Sequence, residues 1–256
     1  MKVAVISLFP ELVRGAAAYG VTGRAIDKSR VTLVCSTPRE FTTDNYQTVD
    51  DRPYGGGPGM VLKVEPMAAA IRAAKENMPA GSRVIFLSPQ GRLFDQAVAK
   101  QLAALPGLVL VAGRYEGFDE RLLEAFADDE LSLGDFVISG GELASAVVID
   151  AVVRLLPGVL GDELSAEQDS FSDGLLDCPH YTRPEEVEGT RVPQVLLEGN
   201  HAAIRRWRLK EALGRTWRRR PDLLRQRALS DEEARLLDEY KDEHRDLDRP
   251  KSAKPG

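Results

Sequence analysis

Three stretches combine residue types and spacing that could do chemistry. In residues 132–143 (Ser-Leu-Gly-Asp-Phe-Val-Ile-Ser-Gly-Gly-Glu-Leu) an apolar tripeptide leads into a hydroxyl and two glycines, and an apolar-rich run follows Glu142. The pattern predicts a buried strand at 136–138, a tight turn and a helix. Glycines at such a turn carry no Cβ, so backbone can approach a nucleotide-like ligand closely; a connection that only needs a positive φ would look the same. Residues 50–60 (Asp-Asp-Arg-Pro-Tyr-Gly-Gly-Gly-Pro-Gly-Met) place four glycines, two prolines and an arginine in a long turn-rich connection, 36–61. That composition suits either an anion-binding nest for a phosphate or a flexible surface loop. Residues 205–227 hold ten basic side chains against Glu211 and Asp222, a local charge of +8 in a chain of net charge −6, which leaves −14 elsewhere. One end of the protein is therefore suited to a polyanion, or carries a solvated basic face.

Metal and thiol chemistry are not indicated. Cys35 and Cys178 lie far apart with no CxxC spacing, and they read as small buried fillers. His180 and His201 have no partner at helical or turn spacing and read as hydrogen-bonded structural residues, so no protein-bound transition metal is expected.

The elements that must position these stretches follow from the apolar pattern. Short β-branched or leucine-rich runs at 3–6, 31–34, 84–87, 108–111 and 136–138 are mostly separated by helical segments, at 10–18, 65–77, 95–103 and 119–126. Such alternation predicts an α/β fold with a mainly parallel sheet covered on both faces. With 256 residues, 43% hydrophobic and 29% charged, the chain suits a soluble medium domain plus a smaller one. The apolar run at the N-terminus is too short for a signal peptide, and Asp150 breaks the longest apolar stretch, so no membrane segment and a cytoplasmic location are expected. The boundaries read as a first domain at 1–160, a polar interdomain linker at 161–173, a helical domain at 174–246 and a disordered tail at 247–256. Residues 175–193 read as loop, and the chain turns helical from about His201. There Leu209, Leu213 and Trp217 make an apolar stripe opposite Arg208 and Arg215, and Arg218, Arg219 and Arg220 precede the helix-starting Pro221.

Several motifs together resemble one family. They are Phe9-Pro-Glu, Tyr19-Gly-Val-Thr-Gly-Arg, the stretch 49–60, Leu87-Ser-Pro-Gln-Gly, Gly113-Arg-Tyr-Glu-Gly, 134–143, Asp169-Ser-Phe and His180-Tyr-Thr-Arg-Pro. Set in this order over nearly the whole chain, they are similar to the bacterial tRNA (guanine-N1)-methyltransferases of the SPOUT superfamily. The resemblance implies a sheet whose C-terminal part forms a deep trefoil knot, a topology that chain-threading rules alone would have rejected. It also implies an S-adenosylmethionine pocket. Its walls would be Leu87, Ser88, Pro89 and Gly91, then Gly113, Tyr115 and Glu116, then Ser132, Leu133, Gly134, Asp135, Phe136, Val137, Ile138, Gly140 and Gly141. An obligate homodimer with composite sites is implied as well, with tRNA as substrate. The product would be 1-methylguanosine immediately 3′ of the anticodon, where another guanosine precedes it, a modification that maintains the reading frame.

On this resemblance Asp169 corresponds to the general base that removes the N1 proton, without which that nitrogen has no free in-plane lone pair. Arg154 corresponds to the cation that stabilises charge spreading onto O6. Glu116 corresponds to a group facing either the substrate guanine or the charged end of the cofactor. Magnesium enters as an ion for which the sequence offers no ligand cluster. Two positions depart from the family pattern: Phe136 stands where tyrosine is frequent, and Ala144 where proline is usual. Two other readings compete. A nicotinamide-dependent oxidoreductase is disfavoured because Ser7-Leu-Phe-Pro-Glu, not G-x-G-x-x-G, follows the first strand. A non-catalytic RNA-binding module would leave Asp169 and Arg154 dispensable.

Overall fold

The computed structural model describes residues 1–161 and 169–245. The chain divides into two compact units, Met1–Glu163 and Leu164–Gly256.

The first unit is a five-stranded, wholly parallel sheet. Its strands are β1 (Lys2–Ile6), β2 (Thr32–Ser36), β5 (Arg83–Leu93), β6 (Gly107–Ala112) and β7 (Asp129–Ser132), in the order β2-β1-β6-β5-β7. A two-stranded ladder, β3 (Asp50–Asp51) with β4 (Val61–Leu62), stands apart from it. Six helices complete the unit: α1 (Pro10–Ala17), α2 (Gly20–Asp27), α3 (Val64–Glu76), α4 (Gln96–Ala103), α5 (Glu120–Phe126) and α6 (Gly141–Val153). Because successive strand residues point to opposite faces, the apolar runs feed two cores. Val3, Val5, Ile85, Leu87, Leu108 and Leu110 pack with Val13 of α1, Ala25 of α2, Val98 and Leu102 of α4 and the buried side of α6. Ala4, Ile6, Val84, Phe86, Val109 and Val111 pack with Met67, Ala70 and Ile71 of α3 and Leu122 of α5. Each fully buried Val, Leu, Ile, Phe or Met among them stabilises the fold by about 1.5–3 kcal/mol, and β6, the central strand, is buried along its whole length.

The sheet corrects one expectation. Residues 136–138 form no strand; Phe136 and Val137 are exposed and Ile138 is at the edge of exposure. The strand before the glycine turn is β7, whose Asp-Glu-Leu-Ser sequence lacks an apolar run. As an edge strand it is held by polar groups: Val84 N–H donates to Asp128 Oδ2 at 2.7 Å, and Arg92 pairs with Asp129 at 2.6 Å. The apolar pattern does not predict helix α2, because Gly20 and Gly23 weaken its helical signal. Gly23 is required there, since a Cβ would lie 2.4 Å from the Ala18 carbonyl oxygen.

Among the described residues the second unit carries a short antiparallel ladder, β8 (Glu186–Val187) with β9 (Thr190–Arg191), and three α-helices, α7 (His201–Arg219), α8 (Pro221–Arg225) and α9 (Asp231–Glu243). Leu209, Leu213 and Trp217 form the expected stripe and join Leu175, Leu236 and Leu237 in one core. Most of the proposed linker, 162–168, the last residue of the expected helical domain, 246, and the tail 247–256 lie outside the described residues.

Candidate functional site

Beyond Leu87, β5 leaves its pairing with β7. Leu87 and Arg92 both oppose Leu131, so residues 88–91 bulge out of the ladder. Pro89 has no N–H to give to a ladder, and a Cβ at Gly91 would sit 2.4 Å from Leu131 N. After β6 the chain turns through Gly113 and Arg114, which bridges antiparallel to Gly140, while Gly141 N–H donates to the Gly113 carbonyl at 2.7 Å. At Gly141 a Cβ would lie 2.8 Å from the Gly113 backbone N, and at Gly140 it would lie 2.5 Å from Arg114 Nε and displace that guanidinium. The bulge, the 113–118 turn and the 132–141 loop enclose a cavity of about 330 Å³ at the C-terminal ends of β5, β6 and β7. This is where open α/β sheets commonly bind ligands.

All the expected pocket residues line this cavity except Gly91 and Asp135. Gly91 shapes the bulge from behind, and Asp135 faces solvent. Phe136, Val137 and Ile138 are apolar because they surface the cavity, a role that an apolar tripeptide shares with a buried strand. Tyr115 projects into it from a left-handed backbone, φ 60°, and is half exposed. Glu116, Glu120 and Glu130 bring carboxylates to walls that also hold glycines, apolar side chains, Arg114 and the polar Ser88, Gln90, Ser132 and Ser139. Flat apolar surface, close-approach glycines and carboxylates together fit a ligand with an aromatic ring and positive charge, as S-adenosylmethionine has.

A buried polar network fixes these walls, and sequence reasoning missed it. Glu142, only 1% exposed, accepts hydrogen bonds from Ser7 Oγ at 2.8 Å and Arg114 Nε at 3.1 Å. The Arg114 guanidinium also lies 4.4 Å from the Phe9 ring centroid. All four residues stand in or beside the quoted motifs, yet Ser7 and Glu142 are 135 positions apart, so only the fold brings them together.

The glycine-rich loop 52–60 is tied to the same site. The Glu116 N–H donates to the Met60 carbonyl at 2.9 Å and the Leu62 N–H to the Gly117 carbonyl at 3.1 Å. Gly55, Gly56, Gly57 and Gly59 all have positive φ. At Gly59 the neighbour is a carboxylate of the protein itself, Glu116, whose Oε1 would be 2.2 Å from a Cβ.

Of the two expected catalytic residues, one closes α6 and the other belongs to the second unit. Arg154 is the C-cap of α6, at the end opposite Gly141; 13 helical residues put roughly 20 Å between the two ends. It does not line the cavity. Asp169 belongs to the second unit, half-buried, its carbonyl accepting from Ser172 N–H at 3.1 Å.

The second unit also revises the reading of its charge. Arg206 pairs with Glu239, Lys210 with Glu243, Arg220 with Asp222 and Arg227 with Glu233. The acidic helix α9 thus offsets part of the +8 window. Arg205, Arg208, Arg218, Arg219 and Arg225 stay exposed and unpaired among the described residues.

His180 has a partner at turn spacing after all: its Nε2 lies 2.8 Å from Asp177 Oδ2, and Cys178 completes a group whose ligand atoms lie within 4.8 Å. A thiol and an imidazole are poor donors for magnesium, which takes oxygen ligands. Burial and the neighbouring Asp177 push the Cys178 thiol up to about 11, and burial also raises Cys35 against the opposing charge of Arg14. At pH 8 Cys178 should react with iodoacetamide about 100-fold more slowly than an ordinary cysteine. Mass spectrometry of the native and urea-unfolded chain checks this; equal rates would contradict it.

No helix of the described residues is long and apolar enough to cross a membrane. A family model described as tRNA (Guanine-1)-methyltransferase TrmD matches residues 1–226. The chain is 63% identical over 243 residues to a tRNA (guanine-N(1)-)-methyltransferase of Methylococcus capsulatus, covering 95% of this chain and 97% of the relative. It is 58% identical over 244 residues to the Serratia proteamaculans protein of that name, covering 95% and 96%. To the Hahella chejuensis protein it is 60% identical over 237 residues, covering 93% and 92%.

Proposed function

The chain belongs to the tRNA (guanine-1)-methyltransferase TrmD family, and from that membership we propose that it methylates N1 of guanosine in tRNA, at the position immediately 3′ of the anticodon, maintaining the reading frame. The observation that carries the reading is the cavity at the ends of β5, β6 and β7, with its glycine cradle, apolar loop and carboxylates. S-adenosylmethionine would supply the methyl group from its sulfonium there. Leu133, Gly134 and the 136–138 loop would hold the adenine, and Glu116 the charged end or the incoming guanine. Close packing of Gly113, Gly140 and Gly141 would fix the direction of transfer, so positioning supplies much of the rate. The finer topology of this reading is a trefoil knot around the cavity. Its domain roles are cofactor binding by 1–160, a linker at 161–173 and tRNA binding by 174–246, in the cytoplasm.

Asp169 would take the N1 proton and Arg154 would stabilise the negative charge that then spreads onto O6. Arg154 stands far along α6 from the cavity of its own chain, which suits a composite site completed by a second copy. Helix α6 supports the same assembly: its solvent-facing side presents Leu143 and Val147, about half exposed one turn apart, beside Asp150, and Leu12 is exposed on the neighbouring α1. In an isolated soluble unit such residues would face water.

The test is incubation with labelled S-adenosylmethionine and a tRNA transcript carrying two guanosines at the 3′ edge of the anticodon, followed by nucleoside analysis. Label in 1-methylguanosine is the expected result. Tight tRNA binding with no transfer would instead favour an RNA-binding module.

A further inference from the structure

Two residues beyond Asp169, Phe171 has a left-handed backbone, φ 71°. Bulky residues avoid that region unless the surroundings impose it. Here they do. Phe171 N–H donates to the Leu175 carbonyl at 2.7 Å, and Asp177 N–H to Ser170 Oγ at 3.0 Å. Leu176 N–H donates to Thr216 Oγ1 of α7 at 2.9 Å, and Arg227 Nη1 to the Asp173 carbonyl at 3.0 Å. Leu175 is buried in the core of the second unit. The loop is thus pinned to the helices that carry the basic run.

What this pinning achieves is not burial of the ring, which stays 43% exposed. Above it, 5.9 Å from its centroid, lies the Arg220 guanidinium, whose plane is held by Asp222 through bonds of 3.0 Å from Nε and 2.7 Å from Nη2. The neighbouring Arg218 and Arg219 are exposed and unpaired among the described residues. Single-stranded RNA is recognised by this combination, in which unstacked bases lie on aromatic rings and arginine planes while cations take the phosphates.

We propose that Phe171 is a stacking platform for a nucleobase of the bound tRNA, at or next to the guanine that Asp169 deprotonates. The assignment rests on the function proposed above and adds a positioning residue to it. Strain in the loop presents the ring, Arg220 lies over it, and the base would stack on its exposed part.

Three variants of the full chain separate ring from backbone. Phe171→Leu keeps the strained backbone and much of the bulk but loses the π face. Phe171→Gly loses the ring and relieves the strain, and Phe171→Trp keeps an aromatic surface. For each, tRNA Kd, single-turnover methylation, cofactor Kd, melting temperature and sedimentation would be measured. Phe171→Leu and Phe171→Gly should both weaken tRNA binding or slow transfer by about 10- to 100-fold, with cofactor Kd unchanged. Phe171→Trp should stay close to wild type, and Phe171→Gly should melt no lower than Phe171→Leu. Wild-type tRNA affinity and rate in both Phe171→Leu and Phe171→Gly would overturn the platform. So would loss of self-association in these variants with tRNA affinity retained, which would assign the ring to a subunit contact. If the wild-type chain itself made no 1-methylguanosine, the methyltransferase reading would fall, and the tRNA Kd series would still decide whether the ring stacks.

Discussion

Replacing Asp169 by Asn is expected to lower the single-turnover rate of methyl transfer by about 10²- to 10⁴-fold, the range over which a positioned general base contributes. At neutral pH guanine N1 carries a proton, and its lone pair becomes available for attack only when that proton leaves. Asn keeps the size and polarity of Asp but cannot accept it. Cofactor affinity should hold, because the cavity walls come from residues 87–144 of the first unit while Asp169 belongs to the second. Equilibrium titration of S-adenosylmethionine beside rapid-quench methylation measures the two separately. An Asp169→Asn protein that transfers methyl at the wild-type rate would remove Asp169 as the base.

Arg114→Met is expected to destabilise the first unit and loosen the walls of its cavity. Glu142 is 1% exposed and has two partners, Ser7 and Arg114. Without the guanidinium, a buried carboxylate is left with one neutral hydroxyl, and breaking a buried ion pair from one side costs about 3–5 kcal/mol. Because the Arg114 side chain is itself about one-fifth exposed, the lower end of that range applies, and melting should fall by roughly 10 °C. Cofactor affinity should fall with it, since the guanidinium that packs against the Gly140 backbone, its Nε 2.5 Å from where a Cβ would stand, would be lost from the cavity wall. Adding Glu142→Gln to Arg114→Met removes the stranded charge and should recover much of the loss in melting temperature. A single variant that melts and binds cofactor like wild type, or a double variant no better than the single, would show that the pair does not hold the walls.

These two predictions draw on different kinds of information. Asp169 is a carboxylate in a polar stretch, and nothing in its local sequence separates it from a solvated surface group; the family motif singles it out. The Arg114–Glu142 pair was invisible at that level, although both residues stand in the motifs. A charged residue after a glycine pair reads as the first turn of a helix, as Glu142 in α6 does. That it is buried, and by which cation, depends on a turn 28 residues earlier in the chain.

Apolar period and glycine placement sufficed for four of the five expected strands, for the helices that cover both faces of the sheet other than α2, and for the Leu209, Leu213 and Trp217 stripe. Those features are local, because a strand or helix face repeats every two or every three to four residues whatever its partner. Three decisions belong to the tertiary structure. The 136–138 tripeptide faces a cavity, because hydrophobicity reports that a side chain avoids water without saying whether a sheet or a ligand will cover it. Gly91 works from behind a bulge that exists only where β5 slips against β7. And four of the ten cations between 205 and 227 are matched by carboxylates, three of them on α9, since charge in a sequence window is additive while the field at a surface depends on what folds back onto it.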